Sequence, residues 1–323
     1  MEKLKASLAC LFEVSVADIS LQSTEGGLTH QSFICRVTGR KFFVKIYTLG
    51  GEYSYSVANI NRLTNYMCLQ GIPASQVVLY SPEFANIVVH DFVDGKMASG
   101  DISQIKAITQ LYSRVALIGA EHGRAVSKPD YLSDINAFME PIRHIENSAI
   151  PFDTLIHTNT LKLAEKVFGH LQKNLPEQGL FQIYMHDDFS EKNILMLDNQ
   201  IKLLCDWDSY RLKLLHEHIA CSACRFSTDG PMQGVMQLDK LSYFLRSIDP
   251  KVYGYISRVE DFVQNFPMLA TLKHLRTYRF RNTLVHQGRP ELKTSYLSWP
   301  LEHCLWLVTN RERVRDMVRE VFA

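Results

Sequence analysis

No run of this sequence approaches the roughly 18 apolar residues that a helix needs to span a bilayer, and neither sign of charge is in excess. The chain carries 35 Lys plus Arg against 34 Asp plus Glu, a formal net charge of +1. The first lack argues against a membrane protein. The second removes the basic footprint expected of a nucleic-acid binder or of a chain drawn to anionic lipid. A disulfide framework is lacking as well: the seven cysteines, at 10, 35, 68, 205, 221, 224 and 304, are odd in number and scattered, so reduced thiols are expected. An export signal is also missing. Lys3 and Lys5 precede an apolar patch from Ala6 to Phe12, but the patch is short, Glu13 and Asp18 follow, and no small-x-small cleavage site comes after. An amphipathic first helix and a cytoplasmic location are the expectations. There is no internal repeat and no low-complexity tract.

What is present is enough apolar residue, 46% of 323, to fill a core. Phe33, Cys35 and Val37 alternate after Gly26-Gly27, a turn follows at Gly39-Arg40, and Phe43 to Tyr47 continue as a second strand. Val57, Ile60, Leu63, Thr64 and Met67 recur at helical spacing up to a stop at Gly71-Ile72-Pro73. Val77 to Tyr80 and Ile87 to Phe92 read as two further strands, and from there long helical patterns dominate, about Ser103 to Gly123 and Thr158 to Leu175 among them. The predicted fold is α+β, a small β-rich lobe with one helix over residues 1–93 followed by a large, mainly helical lobe over 94–323.

The segment from Phe181 to Tyr210 carries the strongest chemical signal. An apolar strand leads to His186-Asp187-Asp188, Asn193 follows five residues after Asp188, a turn is expected at Asp198-Asn199, and a second strand from Ile201 delivers Asp206-Trp207-Asp208. Phosphoryl transfer needs a positioned acceptor hydroxyl and metal ions that neutralise phosphate charge. Asp188 would orient the hydroxyl and take its proton, while Asn193 and Asp206 offer the oxygen ligands Mg²⁺ prefers. The spacing is that of a protein-kinase catalytic loop, with Asp-Trp-Asp where Asp-Phe-Gly would stand. Asp187 is read as structural, because the register to Asn193 selects Asp188.

Two features upstream belong with this hairpin. Gly26, Gly27, Leu28 and Thr29 could let backbone N–H groups approach phosphates. Lys45, embedded in an apolar strand, could reach the α- and β-phosphates. A competing site, His216-x-His218-x-x-Cys221-x-x-Cys224, has zinc-ligand residue types. That segment reads better as a buried helix, since no second Cys or His pair follows at finger spacing.

Gly26-Gly27-Leu28-Thr29, Val44-Lys45, Gly71-Ile72-Pro73, His186-x-Asp188-x4-Asn193 and Asp206-Trp207-Asp208 together resemble the superfamily of aminoglycoside phosphotransferases, choline kinases and homoserine kinases, over about residues 20 to 225. The resemblance implies a bilobal protein-kinase-like fold and transfer of the γ-phosphate of ATP or GTP to a hydroxyl of a small metabolite or antibiotic. It also implies a hinge at His90, Asp91, Phe92 and Val93 that grips the base. Three departures stand out. The helix glutamate that usually pairs with the strand lysine is replaced around Asn59 and Asn61, the usual glycine before the catalytic aspartate is Asp187, and a downstream aspartate is replaced by His218, with Glu217 beside it. They keep open a second reading, a nucleotide-binding pseudokinase or interaction module.

A protein-kinase reading is disfavoured, because about a dozen residues separate Asp206 from the helix with His218 and no Ala-Pro-Glu triplet follows. The acceptor is expected over Asp188, lined from Trp207, Asp208, Tyr210 and Glu217, and from Tyr278, Arg279, Arg281, Trp299 and Trp306 in the tail. With aromatics on that roll and no acid-rich C-terminal segment, a small cationic or zwitterionic alcohol of the choline, thiamine or homoserine kind is the expected substrate, ahead of an aminoglycoside, through cation–π contact. Monomer and homodimer both remain open.

Overall fold

The computed structural model describes residues 1–24, 30–47, 57–80, 86–131, 133, 135, 154–228, 236–286 and 294–323, without the side chains of 154–158, 280–286 and 294–299. Contacts divide the chain into two compact units. The first comprises 1–98 and 192–210, and the second 99–191 and 211–323.

In the first unit an antiparallel sheet has the order β1 (Ile19–Ser23), β2 (Gln31–Val37), β3 (Arg40–Ile46), β5 (Ile87–Asp91), β4 (Val77–Tyr80). The β2–β3 turn places Thr38 and Gly39 at positive φ, 47° and 87°, the conformation a two-residue hairpin needs to match strand twist. Side chains alternate across the sheet. Phe33, Cys35, Phe42 and Val44 go to one face, packed with Leu8 and Ala9 of α1 (Glu2–Phe12). Tyr47, Val88, Val57 and Ile60 pack on the other, with α2 (Val57–Leu69). The α2 helix ends where the sequence predicts: Gly71 takes φ 74° and the N–H of Ile72 returns to the Met67 carbonyl. A second sheet joins β6 (Lys96–Met97) to the hairpin of β9 (Ile194–Leu197) and β10 (Gln200–Leu204), whose turn is Asp198-Asn199 with both residues left-handed.

The second unit holds a small sheet of β7 (Arg124–Val126), β8 (Leu180–His186) and β11 (Tyr210–Leu214) among helices. These are α3 (Ile102–Ala120), α4 (Thr154–Asn174), α5 (Leu215–Arg225), α6 (Leu238–Ser247), α7 (Pro250–Tyr253), α8 (Val259–His286), α9 (Thr294–Thr309) and α10 (Arg311–Phe322). Its core is aromatic beneath the end of β8: the Tyr112 and Phe189 ring centres lie 5.3 Å apart, and Phe226 stacks on Phe244 at 5.6 Å. Among the described residues no helix is long and apolar enough to cross a membrane.

Candidate active site

Strand alternation on β3 determines where Lys45 goes. Val44 is buried toward α1, so Lys45 must point to the opposite face, where it is 7% exposed. Its Nζ lies 2.5 Å from Asp206 Oδ1 and 2.6 Å from Asp208 Oδ2, and 4.8 Å from the centre of the Tyr47 ring. Burial opposes the charge on Lys45, but Asp206, with Tyr47 and Asp208, outweighs it and raises the pKa. The ammonium is therefore permanent. For Asp208, burial would favour the neutral acid, but the hydrogen bond from His30 and the charge of Lys45 hold it well below the usual carboxylate range. His30 Nε2 is 3.4 Å from Asp208 Oδ2, and the His30 ring packs on Tyr47 at 4.7 Å.

This cluster answers the missing helix glutamate. Asn59 accepts from Arg62 and Asn61 from Asn65, while the lysine's negative partners come from the Asp206-Trp207-Asp208 triplet. The counter-charge role of Asp208 was missed from sequence, although the second carboxylate of the triplet was the available signal. His30 carried no signal beyond its place next to the glycine-rich stretch.

The β9–β10 hairpin brings Asn193 to the same end. The Cys205 N–H donates to the Asn193 carbonyl at 2.9 Å and the Leu204 N–H to that of Pro73 at 2.6 Å. Asp206 then adopts the left-handed region, φ 68°, at the start of a short 3-10 turn from Trp207 to Ser209. The Trp207 indole N–H donates to the Leu204 carbonyl at 2.7 Å, which fixes that turn. Gly26, Gly27, Leu28 and Thr29 lie outside the described residues. Of the expected hinge, His90 is committed to packing: its Nδ1 is 3.2 Å from the Gln76 carbonyl and burial pushes its pKa down to about 4. Asp91 is exposed at the end of β5, Phe92 packs under Lys41, and Val93 is half-buried.

In the second unit β8 delivers His186-Asp187-Asp188 into a tight loop. The His186 carbonyl accepts the Phe189 N–H at 3.1 Å and His218 Nε2 at 3.1 Å. His218 is fully enclosed, and burial pushes its pKa down to about 4. It is thus a neutral imidazole that donates from Nε2 and accepts the Tyr112 hydroxyl at Nδ1, a tautomer assigned from this pattern. The histidine in place of the family's acid therefore pins the loop that carries Asp188. Asp187 turns inward to Arg211, to Lys213 at 2.9 Å and to Lys273 at 3.4 Å. Burial would raise its pKa, but Lys273, Lys213 and Arg211 hold it far below the usual range. Asp188 makes a different partnership, its Oδ1 accepting from Arg225 Nη1 at 2.8 Å.

The helix with His216, Cys221 and Cys224 is α5, as read. His216 packs on Phe262 and the Cys221 thiol, raised to about 12 by burial, faces the Leu269 carbonyl. Among the described residues no group of three His, Cys, Asp or Glu side chains is arranged to hold a metal. The expected aromatic lining is corrected: Trp207 and Tyr278 are core residues, 2% and 0% exposed. Tyr210 packs on Trp207, Glu217 pairs with Arg276, and Arg279 and Trp306 are half-buried. The side chains of Arg281 and Trp299 lie outside the described set. The loop's neighbours are instead Arg225, Lys213 and Lys273, which isolated basic residues on a helix or strand do not announce in sequence.

Residues 20–246 match the model of the phosphotransferase enzyme family. No curated protein sequence matches significantly. Among solved structures, a choline/ethanolamine kinase family protein from Mesorhizobium loti is similar, with TM-score 0.63, 15% identity and coverage of 98% of both chains. A choline kinase from Cryptosporidium parvum Iowa II has TM-score 0.62 and 13% identity over 99% of this chain and 97% of its own. An aminoglycoside phosphotransferase in ternary complex with AMP-PNP and hygromycin B has TM-score 0.60 and 10% identity over 96% and 98%. These likenesses show the kinase-like α+β fold. With the match to its family over more than half its length, this chain belongs to the phosphotransferase enzyme family and is a kinase that uses an alcohol group as acceptor.

Proposed function

We propose that this protein transfers the γ-phosphoryl group of ATP, or of GTP, to a hydroxyl of a small molecule, with Asp188 as the base. The carrying observation is the cluster of buried Lys45 with Asp208 and the more exposed Asp206, joined at 2.6 and 2.5 Å although 163 and 161 positions apart in sequence. A permanent ammonium beside a carboxylate that projects from a hairpin end is what binding a nucleotide's phosphates requires. Lys45 would exchange part of its pairing with Asp206 for the α- and β-phosphates, Asp208 and Tyr47 keeping it in place. Asn193 and Asp206, an amide and a carboxylate at one hairpin end, suit Mg²⁺, which takes oxygen ligands and completes its shell with waters and phosphate oxygens. Bound there, the ion would neutralise charge on the phosphates.

Asp188, oriented by Arg225, would accept the acceptor's proton while the acceptor oxygen bonds to the γ-phosphorus. The bond from that phosphorus to the β–γ bridging oxygen breaks, releasing the nucleoside diphosphate. Asp187 does not compete for this role, because three cations already claim it. The test is ADP release across a panel of small alcohols, with the full chain, ATP and Mg²⁺. Acceptor-dependent release that disappears in Asp188→Asn is expected. Release that is equal in wild type and variant would remove the proposal.

A further inference from the structure

Strand register at the open end of the β2–β3 hairpin places a further side chain beside Lys45. Gln31 pairs with Ile46 and Ser32 with Lys45. The next pair outward therefore sets His30 opposite Tyr47, on the face that Lys45 shares. The His30 and Tyr47 ring centres lie 4.7 Å apart, and the Lys45 ammonium is 4.8 Å from the centre of the Tyr47 ring. His30 Nε2 then lies 3.4 Å from Asp208 Oδ2, the same oxygen that accepts from Lys45 Nζ at 2.6 Å. Nε2 carries the proton in this arrangement, a tautomer assigned from the carboxylate it faces.

The two carboxylates around Lys45 differ in enclosure. The Asp206 side chain is 38% exposed and that of Asp208 6%, while Lys45 and His30 are each at 9%. The exposed carboxylate can exchange its partner for an incoming one, and the enclosed one can serve only as an anchor. A lysine is a point charge on a flexible stem, so an aspartate held by it alone can swing with it. A second donor on the same oxygen, from a ring that is itself packed, removes that freedom. Building on the phosphotransfer reading above, we propose that His30 is a positioning residue for nucleotide binding. It holds Asp208, and Asp208 keeps the Lys45 ammonium where the α- and β-phosphates need it once Asp206 lets go. The effect of His30 on the nucleotide passes through Asp208.

Two variants separate the hydrogen bond from the packing. His30→Phe keeps a ring on Tyr47 and loses the donor, whereas His30→Gln keeps an N–H donor and loses the ring. ATP is titrated into the full chain without Mg²⁺, so that metal binding at Asp206 does not enter. We expect His30→Phe to weaken binding by about 3- to 10-fold and His30→Gln to retain more of it. In an Asp208→Asn background the same His30→Phe substitution should change binding by less than about 2-fold, because its route through Asp208 is already broken; a loss of packing alone would add instead. In turnover with Mg²⁺, KM for ATP should rise in His30→Phe with kcat changed much less. If His30→Phe does not fold, His30→Ala takes its place in the cycle. Three results overturn the inference and leave phosphotransfer standing: wild-type binding in the variant that lacks the donor, a loss as large in His30→Gln, or a loss that persists undiminished in the Asp208→Asn background. Wild-type protein that binds no ATP removes both.

Discussion

The carboxylates of Asp187 and Asp188 are adjacent in sequence and opposite in circumstance. Asp187 is buried under three cations, while Asp188 keeps about a fifth of its side chain exposed beside Arg225. Asp188→Asn should therefore lower kcat by about 10²- to 10⁴-fold with an unchanged melting temperature, read by ADP release and thermal unfolding. Asp187→Ala should do the reverse in stability, costing about 1 to 3 kcal/mol because half-buried Lys213 and Lys273 lose their shared, buried anion. A variant of Asp187 that melts like wild type would contradict this. At the other cluster, Asp206 and Asp208 share one lysine, and the proposal gives them different tasks. Titrating nucleotide with and without Mg²⁺ separates them. Asp208→Asn is expected to weaken binding about 10-fold in both conditions by unseating Lys45, whereas Asp206→Ala is expected to abolish only the increment that Mg²⁺ adds.

At the scale of elements, the loop that carries Asp188 is held by what packs behind it. The α3 helix crosses β8 so closely that a Cβ built on Gly119 would lie 1.8 Å from the Tyr184 carbonyl oxygen, and one on Gly123 would meet Phe181 and Gln182 within 2.8 Å. Gly119→Ala gains helix propensity, about 1 kcal/mol, but the backbone it strikes cannot yield without moving β8. A net destabilisation of about 1 to 3 kcal/mol is expected, with a fall in kcat, since β8 ends at His186. Denaturant unfolding and ADP release measure the two effects. An alanine variant at wild-type stability would mean that the crossing is looser than described. The β9–β10 hairpin was readable residue by residue, because Asp198-Asn199 can only be a tight turn between apolar strands. The α3–β8 crossing was not readable, because one glycine in a helical pattern says nothing about which strand will lie across it.

Across the whole molecule, acid stability is expected to be governed by buried neutral imidazoles. His90, His216 and His218 are each about 5% exposed or less, and burial pushes each down to about 4. In the unfolded chain they titrate near 6.5. The unfolded state therefore takes up protons first as pH falls: stability is complete above pH 6.5 and is lost progressively toward pH 4, by up to about 3 kcal/mol for each buried histidine. Asp187 adds a second loss below about pH 4, because there the unfolded carboxyl takes up a proton while the folded one, held ionised by its three cations, does not. Melting temperature between pH 7.5 and 4 checks this, and a flat profile over that range would exclude it. His218→Gln, which can keep a hydrogen bond to the His186 carbonyl, should flatten the profile in part.

By itself the sequence determined the local pieces: alternating strands, the helix stop at Gly71 and the Asp198-Asn199 turn, and it offered the spacing from which the roles of Asp188 and Asn193 are proposed. These follow from period, turn chemistry and register, which act over a few residues. Only the tertiary structure decided which charges meet. Lys45 finds Asp206 and Asp208 across 161 and 163 positions of sequence, Asp187 collects cations from β11 and α8, and His218 holds the loop through the His186 carbonyl. The helix glutamate that the strand lysine lacks was sought nearby in sequence, whereas its substitute was supplied by the turn that follows the β9–β10 hairpin. Electrostatic partners are chosen by distance in space and by the cost of burying a charge alone, and neither quantity is written in sequence separation.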